Sequence, residues 1–249
     1  MDLGLSNRVY IVTGGTSGLG RAAAEALVTD GARVVVSSRN EGAVRDAVQS
    51  LGGPDWAVGV ATDNADEATP HRLIDAARDN FRGLDGVLIS VGGPPPGDVM
   101  SATDAQWRAA FESVFLGAVR LARAVAEVLD AGGSIGFVLS TSVRAPIGGL
   151  AVSNGLRPGL AMVAKTLADE LGPQGIRVFG LMPGRISTAR TMELTPDEQA
   201  RRALSETIPL RRFGDPAEFG RVAAFLLSPA ASYLTGLVIP VDGGALRTL

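Results

Sequence analysis

Thr13-Gly14-Gly15-Thr16-Ser17-Gly18-Leu19-Gly20 joins an apolar run, Val9 to Val12, to a helix-favouring segment, Arg21 to Leu27. Glycines at 14, 18 and 20 accept backbone angles that a Cβ forbids. Their missing side chains also leave space for a pyrophosphate against the amide groups of a helix N-terminus. The spacing is G-x-x-x-G-x-G, whereas the usual dinucleotide fingerprint is G-x-G-x-x-G, so the strand before and the helix after carry much of the inference. Without them the run reads as an ordinary tight turn. In this context it predicts a phosphate cradle built from Gly14, Thr16, Ser17, Gly18, Leu19 and Gly20.

Outward from that turn, short apolar runs alternate with longer helix-compatible segments. The runs are Val9 to Val12, Arg33 to Ser37, Trp56 to Ala61, Gly86 to Val91, Ser134 to Ser140, Arg177 to Met182 and Leu237 to Val241. Runs of Val, Ile and Leu without polar alternation suit strands covered on both faces, and helices between them make the sheet parallel. The expected fold is α/β, a single-domain Rossmann-type doubly wound parallel sheet with helices on both faces, spanning residues 1–249. Asp104 to Asp130 and Pro158 to Leu171 read as two long amphipathic helices. The more polar stretch from Met192 to Phe213 reads as a helical flap over a substrate pocket. Pro158 predicts a kink or a helix start, because proline lacks the amide and clashes with the preceding turn.

Composition narrows the function. The chain has 249 residues, 46% of them hydrophobic, a formal net charge of -3, no cysteine and one histidine, His71. One large domain is the default at this length. Without cysteine there are no disulfides or thiolate nucleophiles, and one histidine leaves little for zinc, so no metal site is expected. The charge gives no basic footprint for nucleic acid, and the pairs Arg201-Arg202 and Arg211-Arg212 read as solvated surface. No apolar run approaches the roughly 20 residues of a membrane span, and Met1 to Gly4 does not resemble a signal peptide. A cytoplasmic location is the expectation. His71, after Pro70 near a helix start, reads as a surface residue.

Two places read the cofactor. After the second strand stands Ser37-Ser38-Arg39-Asn40, where selection of NAD usually calls for an acidic residue on the ribose hydroxyls. Ser38 and Arg39 favour NADP(H) over NAD(H), because a guanidinium grips a 2'-phosphate through paired hydrogen bonds. The alternative is an exposed surface arginine. Thr62-Asp63-Asn64 ends the third strand, where Asp63 suits an adenine amino group or, alternatively, caps the following helix.

The glycine turn, Asp63, the segment Asp85 to Gly93, Pro183-Gly184-Arg185-Ile186-Ser187-Thr188 and the ending Ala231-Ser232-Tyr233-Leu234-Thr235-Gly236 with Val241-Asp242-Gly243-Gly244 together resemble the short-chain dehydrogenase/reductase family. The resemblance covers nearly the whole chain. It implies that the turn after the fourth strand and the Pro-Gly segment hold the dinucleotide, which adds Gly92, Gly93, Pro183, Gly184, Ile186 and Thr188 as cofactor-site residues beside Asp63 and Asn64. The family's Asn-Asn-Ala-Gly turn is Ser90-Val91-Gly92-Gly93 here, followed by Pro94-Pro95-Pro96-Gly97, which implies a stiff, reshaped loop. It also implies a homo-oligomer, a dimer or tetramer, since the family pairs its two long helices.

In that family a serine polarises the substrate oxygen, a tyrosine passes the proton, and a lysine four residues later lowers the tyrosine's pKa. Here the resemblance puts Ser142 at the serine position, Ser153 at the tyrosine and Arg157 at the lysine. The only tyrosines are Tyr10 and Tyr233, the only lysine is Lys165, and the relay asparagine falls near Val114. An aliphatic hydroxyl is far less acidic than a phenol, and arginine stays protonated. Ser142, Ser153 and Asn154 are left to donate hydrogen bonds or order a water, with Arg157 as an oxyanion or ribose contact. Ser153 and Asn154 as helix caps, and Arg157 as an exposed first-turn residue, are the structural alternatives. Arg144, shortly after Ser142, stands near the substrate cleft. Three functions fit: an NADP(H)-dependent oxidoreductase on a carbonyl or alcohol, a binding or regulatory protein without turnover, and a non-redox lyase or isomerase. All act on a small molecule, with no nucleic-acid or membrane partner expected.

Overall fold

A computed structural model describes residues 2–248. The chain runs β1 (Val9–Thr13), α1 (Gly18–Thr29), β2 (Arg33–Ser38), α2 (Glu41–Ser50), β3 (Ala57–Ala61), α3 (Thr69–Phe81) and β4 (Gly86–Ile89). It continues with α4 (Asp104–Ala110), a π-helical segment (Phe111–Leu116), α5 (Gly117–Ala126), β5 (Ser134–Val138), α6 (Ala151–Leu171) and β6 (Arg177–Pro183). The last elements are α7 (Ala189–Leu194), α8 (Glu198–Glu206), α9 (Pro216–Leu227) and β7 (Leu237–Val241). All strand pairs are parallel, in the order β3-β2-β1-β4-β5-β6-β7.

The two faces of β1 explain the layering. Val9 and Ile11 point to one side and join a core with α3, α5 and α6; Tyr10 and Val12 point to the other and join a core with α1, α2 and α9. Alternation along each strand thus feeds two cores, and both faces are apolar because helices cover both. The order reverses between β1 and β4, so their carboxyl ends open a crevice, the usual ligand position in such a sheet.

Three expectations change. The helix expected from Asp104 to Asp130 is interrupted at Phe111–Leu116 and ends at Ala126. The break lies where the β3 loop presses against the helix: a Cβ on Gly117 would stand 2.1 Å from the Asn64 carbonyl oxygen. A wider π turn absorbs such local misfit. Pro158 does not start its helix; α6 begins at Ala151 and runs through it. The lost amide bond is offset by burial of Val152, Leu156, Leu160, Ala164 and Leu167 along one side. The stretch expected as a helical flap holds the end of α7 and the whole of α8, the second capped by Asp197. Among the described residues no helix is long and apolar enough to cross a membrane.

One buried cation holds the far end of the sheet. Arg177, only 6% exposed, donates to the carbonyls of Leu226 (2.7 Å), Leu227 (3.0 Å) and Ser228 (2.9 Å), where α9 ends. A cation there satisfies carbonyls without helical partners and faces the negative pole of the helix. Burial lowers the pKa of Arg177. Replacing it with methionine takes the guanidinium from all three carbonyls, leaves Leu227 to the Ser134 hydroxyl and Ser228 to the Ala231 amide, and should cost about 2–4 kcal/mol in urea unfolding; an unchanged midpoint would contradict this role.

Candidate active site

The glycine turn closes on the switch point. Thr13 Oγ1 donates to the Ser90 carbonyl at 2.9 Å and accepts the Ser90 amide at 2.9 Å, so one hydroxyl ties the ends of β1 and β4. Gly14 has φ +59°, and a Cβ there would meet the Ser90 carbonyl oxygen at 2.6 Å. A Cβ on Gly20 would meet the Gly14 carbonyl oxygen at 2.4 Å. The turn therefore folds onto the start of α1, whose N-cap, Ser17, makes no capping hydrogen bond with its side chain. The first-turn amides of α1 therefore have no side-chain cap, and the positive end of the helix dipole stands at the glycine turn. Thr188 closes it from the opposite side, its Cγ2 3.5 Å from where a Cβ on Gly18 would sit.

Around the cradle, Ser38 is half-buried at the end of β2. Arg39 is exposed, without a hydrogen-bond or ion-pair partner among the described residues, while Asn40 caps α2 through the Ala43 amide at 2.9 Å. Asp63 does not cap α3, which begins six residues later at Thr69 after the N-cap Ala68. It instead accepts the Ala65 amide at 2.9 Å, a local turn that holds the loop beside Asn64. Gly93 is covered by Arg190, Gly92 faces open space, and Gly184 packs on Asp242. Ile186 is buried and pairs with Gly214, so the segment after Pro183 is stitched to the entry of α9; Thr188 caps α7.

The other half of the crevice is built on α6. Leu150 is the N-cap, so Ser153 and Asn154 lie inside the helix and do not cap it. The Ala151 amide donates to the Gly97 carbonyl at 3.0 Å, so the proline-rich loop satisfies the helix start that no side chain caps. Asn154 bonds both backbone groups of Ile147, at 3.1 and 2.9 Å, which fixes the loop after Ser142.

Arg157 is not the exposed first-turn residue that its position allowed. It is 4% exposed and donates to the Val138 carbonyl and, at 3.3 Å, to the Val91 carbonyl. One planar fork thereby spans the ends of β4 and β5, because the apolar inner face of α6 carries the residue under the crevice floor. Its Nε is buried without a partner, and so is Ser142 Oγ, on the turn after β5. Burial first, and then the charge of Arg190, pull the Arg157 pKa down to about 10, so it is a cation at neutral pH. Ser153, buried and one turn earlier, lies on the same helix side. The ends of β4 and β5 thus carry buried hydroxyls and a fixed positive charge.

Residues 14–245 match the family model described as Enoyl-(Acyl carrier protein) reductase. Dehydrogenase/reductase SDR family member 4 from Homo sapiens is 34% identical over 245 residues, 96% of this chain and 88% of the relative. The chain belongs to the short-chain dehydrogenase/reductase family. Among solved structures, a Brucella melitensis short-chain dehydrogenase/reductase of the glucose/ribitol dehydrogenase type superposes with a TM-score of 0.94 at 28% identity, covering 100% of both chains. L-sorbose reductase from Gluconobacter frateurii, solved with NADPH and L-sorbose, gives 0.93 at 32% identity, again over 100% of both.

As a short-chain dehydrogenase/reductase, the chain is an oxidoreductase whose fold implies a nicotinamide dinucleotide. The glycine cradle fits that group, since a Cβ at Gly14 or Gly20 would meet neighbouring backbone. Sequence reasoning missed the Thr13–Ser90 tie and Arg190. Arg190 stands two residues beyond Thr188, but a lone arginine there does not reveal that it folds back over Gly93. Replacing Arg157 with lysine keeps the charge and loses the rigid fork. Amide exchange should then quicken in residues 88–94 and 138–143 while β1 stays protected; unchanged exchange would remove Arg157 as the tie between β4 and β5.

Proposed function

We propose that the protein is an NADP(H)-dependent oxidoreductase acting on a carbonyl or alcohol, with a non-standard active site. The observation that carries this reading is the buried, unpartnered hydroxyl of Ser142 on the turn that leaves β5, the strand whose end the Arg157 fork holds. When bound, the dinucleotide supplies or accepts a hydride. It is held by Gly14, Thr16, Ser17, Gly18, Leu19 and Gly20 at the phosphates, by Ser38 and Arg39 at the 2'-phosphate, and by Asp63 and Asn64 at the adenine. Gly92, Gly93, Pro183, Gly184, Ile186 and Thr188 line the nicotinamide end. Arg39 supports NADP(H), being exposed and, among the described residues, without a hydrogen-bond or ion-pair partner.

Ser153 and Arg157 take the family's tyrosine and lysine positions. Ser142 donates a hydrogen bond to the substrate oxygen, and the fixed charge of Arg157 stabilises an oxyanion there. Ser153 is too weak an acid to replace a phenol, so its hydroxyl orders the water that delivers or removes the proton. Residues 192–213, with α7 before them, form the lid over the substrate within a single domain. The exposed side chains of Phe111 and Met162 support a homodimer or homotetramer through α4 to α6. A cytoplasmic location belongs to the same reading. The absence of a phenol favours one competitor, a binding protein without turnover.

A panel of ketones, aldehydes and imines with NADPH separates the two. Consumption of NADPH above the blank, lowered about 100-fold in kcat by Ser142→Ala, is expected; tight NADPH binding with no consumption would select the binding protein. In the same material Arg39→Ala should weaken NADPH on the order of tenfold and leave NADH unchanged. Equal effects on both would overturn the NADP(H) preference.

A further inference from the structure

The crevice holds a second guanidinium that hydride transfer does not require. Arg190, in the first turn of α7, lies against the turn after β4: a Cβ on Gly93 would meet its Nη2, Nε and Cζ at 2.9, 3.0 and 3.1 Å. Its Nη2 donates to the Pro94 carbonyl at 2.7 Å. Arg157 holds the other end of the same turn through Val91. Two cations therefore bracket residues 91–94, and neither has a carboxylate in ion-pair range among the described residues.

Arg157 is buried and Arg190 is exposed to solvent, and a buried guanidinium beside another cation is costly without an anion. On α6 and on the turn after β5, Arg157 Nε and Ser142 Oγ also lack hydrogen-bond partners among the described residues.

We propose that the turn after β4 is the floor of an anion subsite and that the substrate is a 2-oxo acid, or the corresponding 2-hydroxy acid in reverse. Arg190 binds the carboxylate, and Ser142 binds the neighbouring ketone oxygen. This assignment rests on the oxidoreductase reading above. A guanidinium fork matches a planar carboxylate, and Arg190 spends one recorded donor on Pro94, so others are free for it. The dinucleotide's phosphates have their own cradle at Gly14 to Gly20. In the reaction the ketone carbon gains a hydride from the reduced nicotinamide, the carbonyl π pair moves to oxygen, and a solvent proton completes the hydroxyl. The ketone is reduced and the dinucleotide oxidised.

The test compares wild type with Arg190→Met on pyruvate, 2-oxobutyrate and phenylpyruvate, on their methyl esters, and on neutral ketones. It is joined by calorimetric binding of oxamate to the NADP⁺-loaded protein. Turnover of the acids at a lower KM than the esters is expected. The substitution should raise the acid KM on the order of tenfold or more, a larger change than in the ester KM or in NADPH affinity; oxamate binding should fall in parallel. Reduction of esters and neutral ketones at equal or lower KM, indifferent to Arg190, would overturn the subsite and leave the oxidoreductase reading standing. An NADPH affinity weakened as much as the acid KM would assign Arg190 to the cofactor's phosphates and overturn it too. Oxamate binding that depends on Arg190, with no turnover of any compound, would support the subsite and defeat the oxidoreductase reading. Absence of both would defeat both.

Discussion

A buried guanidinium without a carboxylate partner sets the shape of this crevice. Arg157 reaches from the inner side of α6 to the carbonyls of Val138 and Val91, so the ends of β5 and β4 are held at a fixed separation by one rigid, planar group. The Thr13 hydroxyl does the same between β1 and β4 through Ser90. Three adjacent strands are thus tied at their carboxyl ends by two side chains. The turns that leave those strands carry the glycine cradle, the proline-rich loop and Ser142. Loss of the arginine fork frees two backbone carbonyls and the turn that they anchor.

The same arrangement has an electrostatic consequence. Burial disfavours the charge on Arg157, and Arg190 disfavours it further, which lowers its pKa to about 10. The residue stays charged at neutral pH, so the crevice carries a standing positive potential with no internal counterion. In the proposed reaction that potential and the Ser142 hydroxyl stabilise negative charge on the substrate oxygen, and the proton that a phenol would supply comes through water.

Much of the fold was legible in the chain because its strands are continuous apolar runs and its first turn is a strand–glycine–helix unit. Parallel order and two-sided cover follow from those features and from little else. The errors fall where tertiary contacts override local preference. Pro158 sits inside α6 because an apolar stripe from Val152 to Leu167 outweighs one missing amide bond. The helix before it widens at Phe111 to Leu116, where the Asn64 carbonyl presses on Gly117, and no local pattern announces that contact. Ser142 and Arg157 were readable as positions. That Arg157 is buried and bound to two strand ends was not, since a guanidinium on a helix is ordinarily solvated. Arg190 is exposed, and a lone arginine does not announce that it folds back over Gly93.

The account's central claim is that a dinucleotide in the glycine cradle presents its nicotinamide to Ser142 and to the positive floor made by Arg157. A crystal structure of the NADPH complex tests this most directly. The account predicts the pyrophosphate against the amides of Gly18 to Gly20, and the nicotinamide ring beyond Thr188 with its reactive face toward the Ser142 hydroxyl. A complex in which the ring points away from the β4 and β5 ends, with Ser142 still enclosed and without a partner, would contradict it.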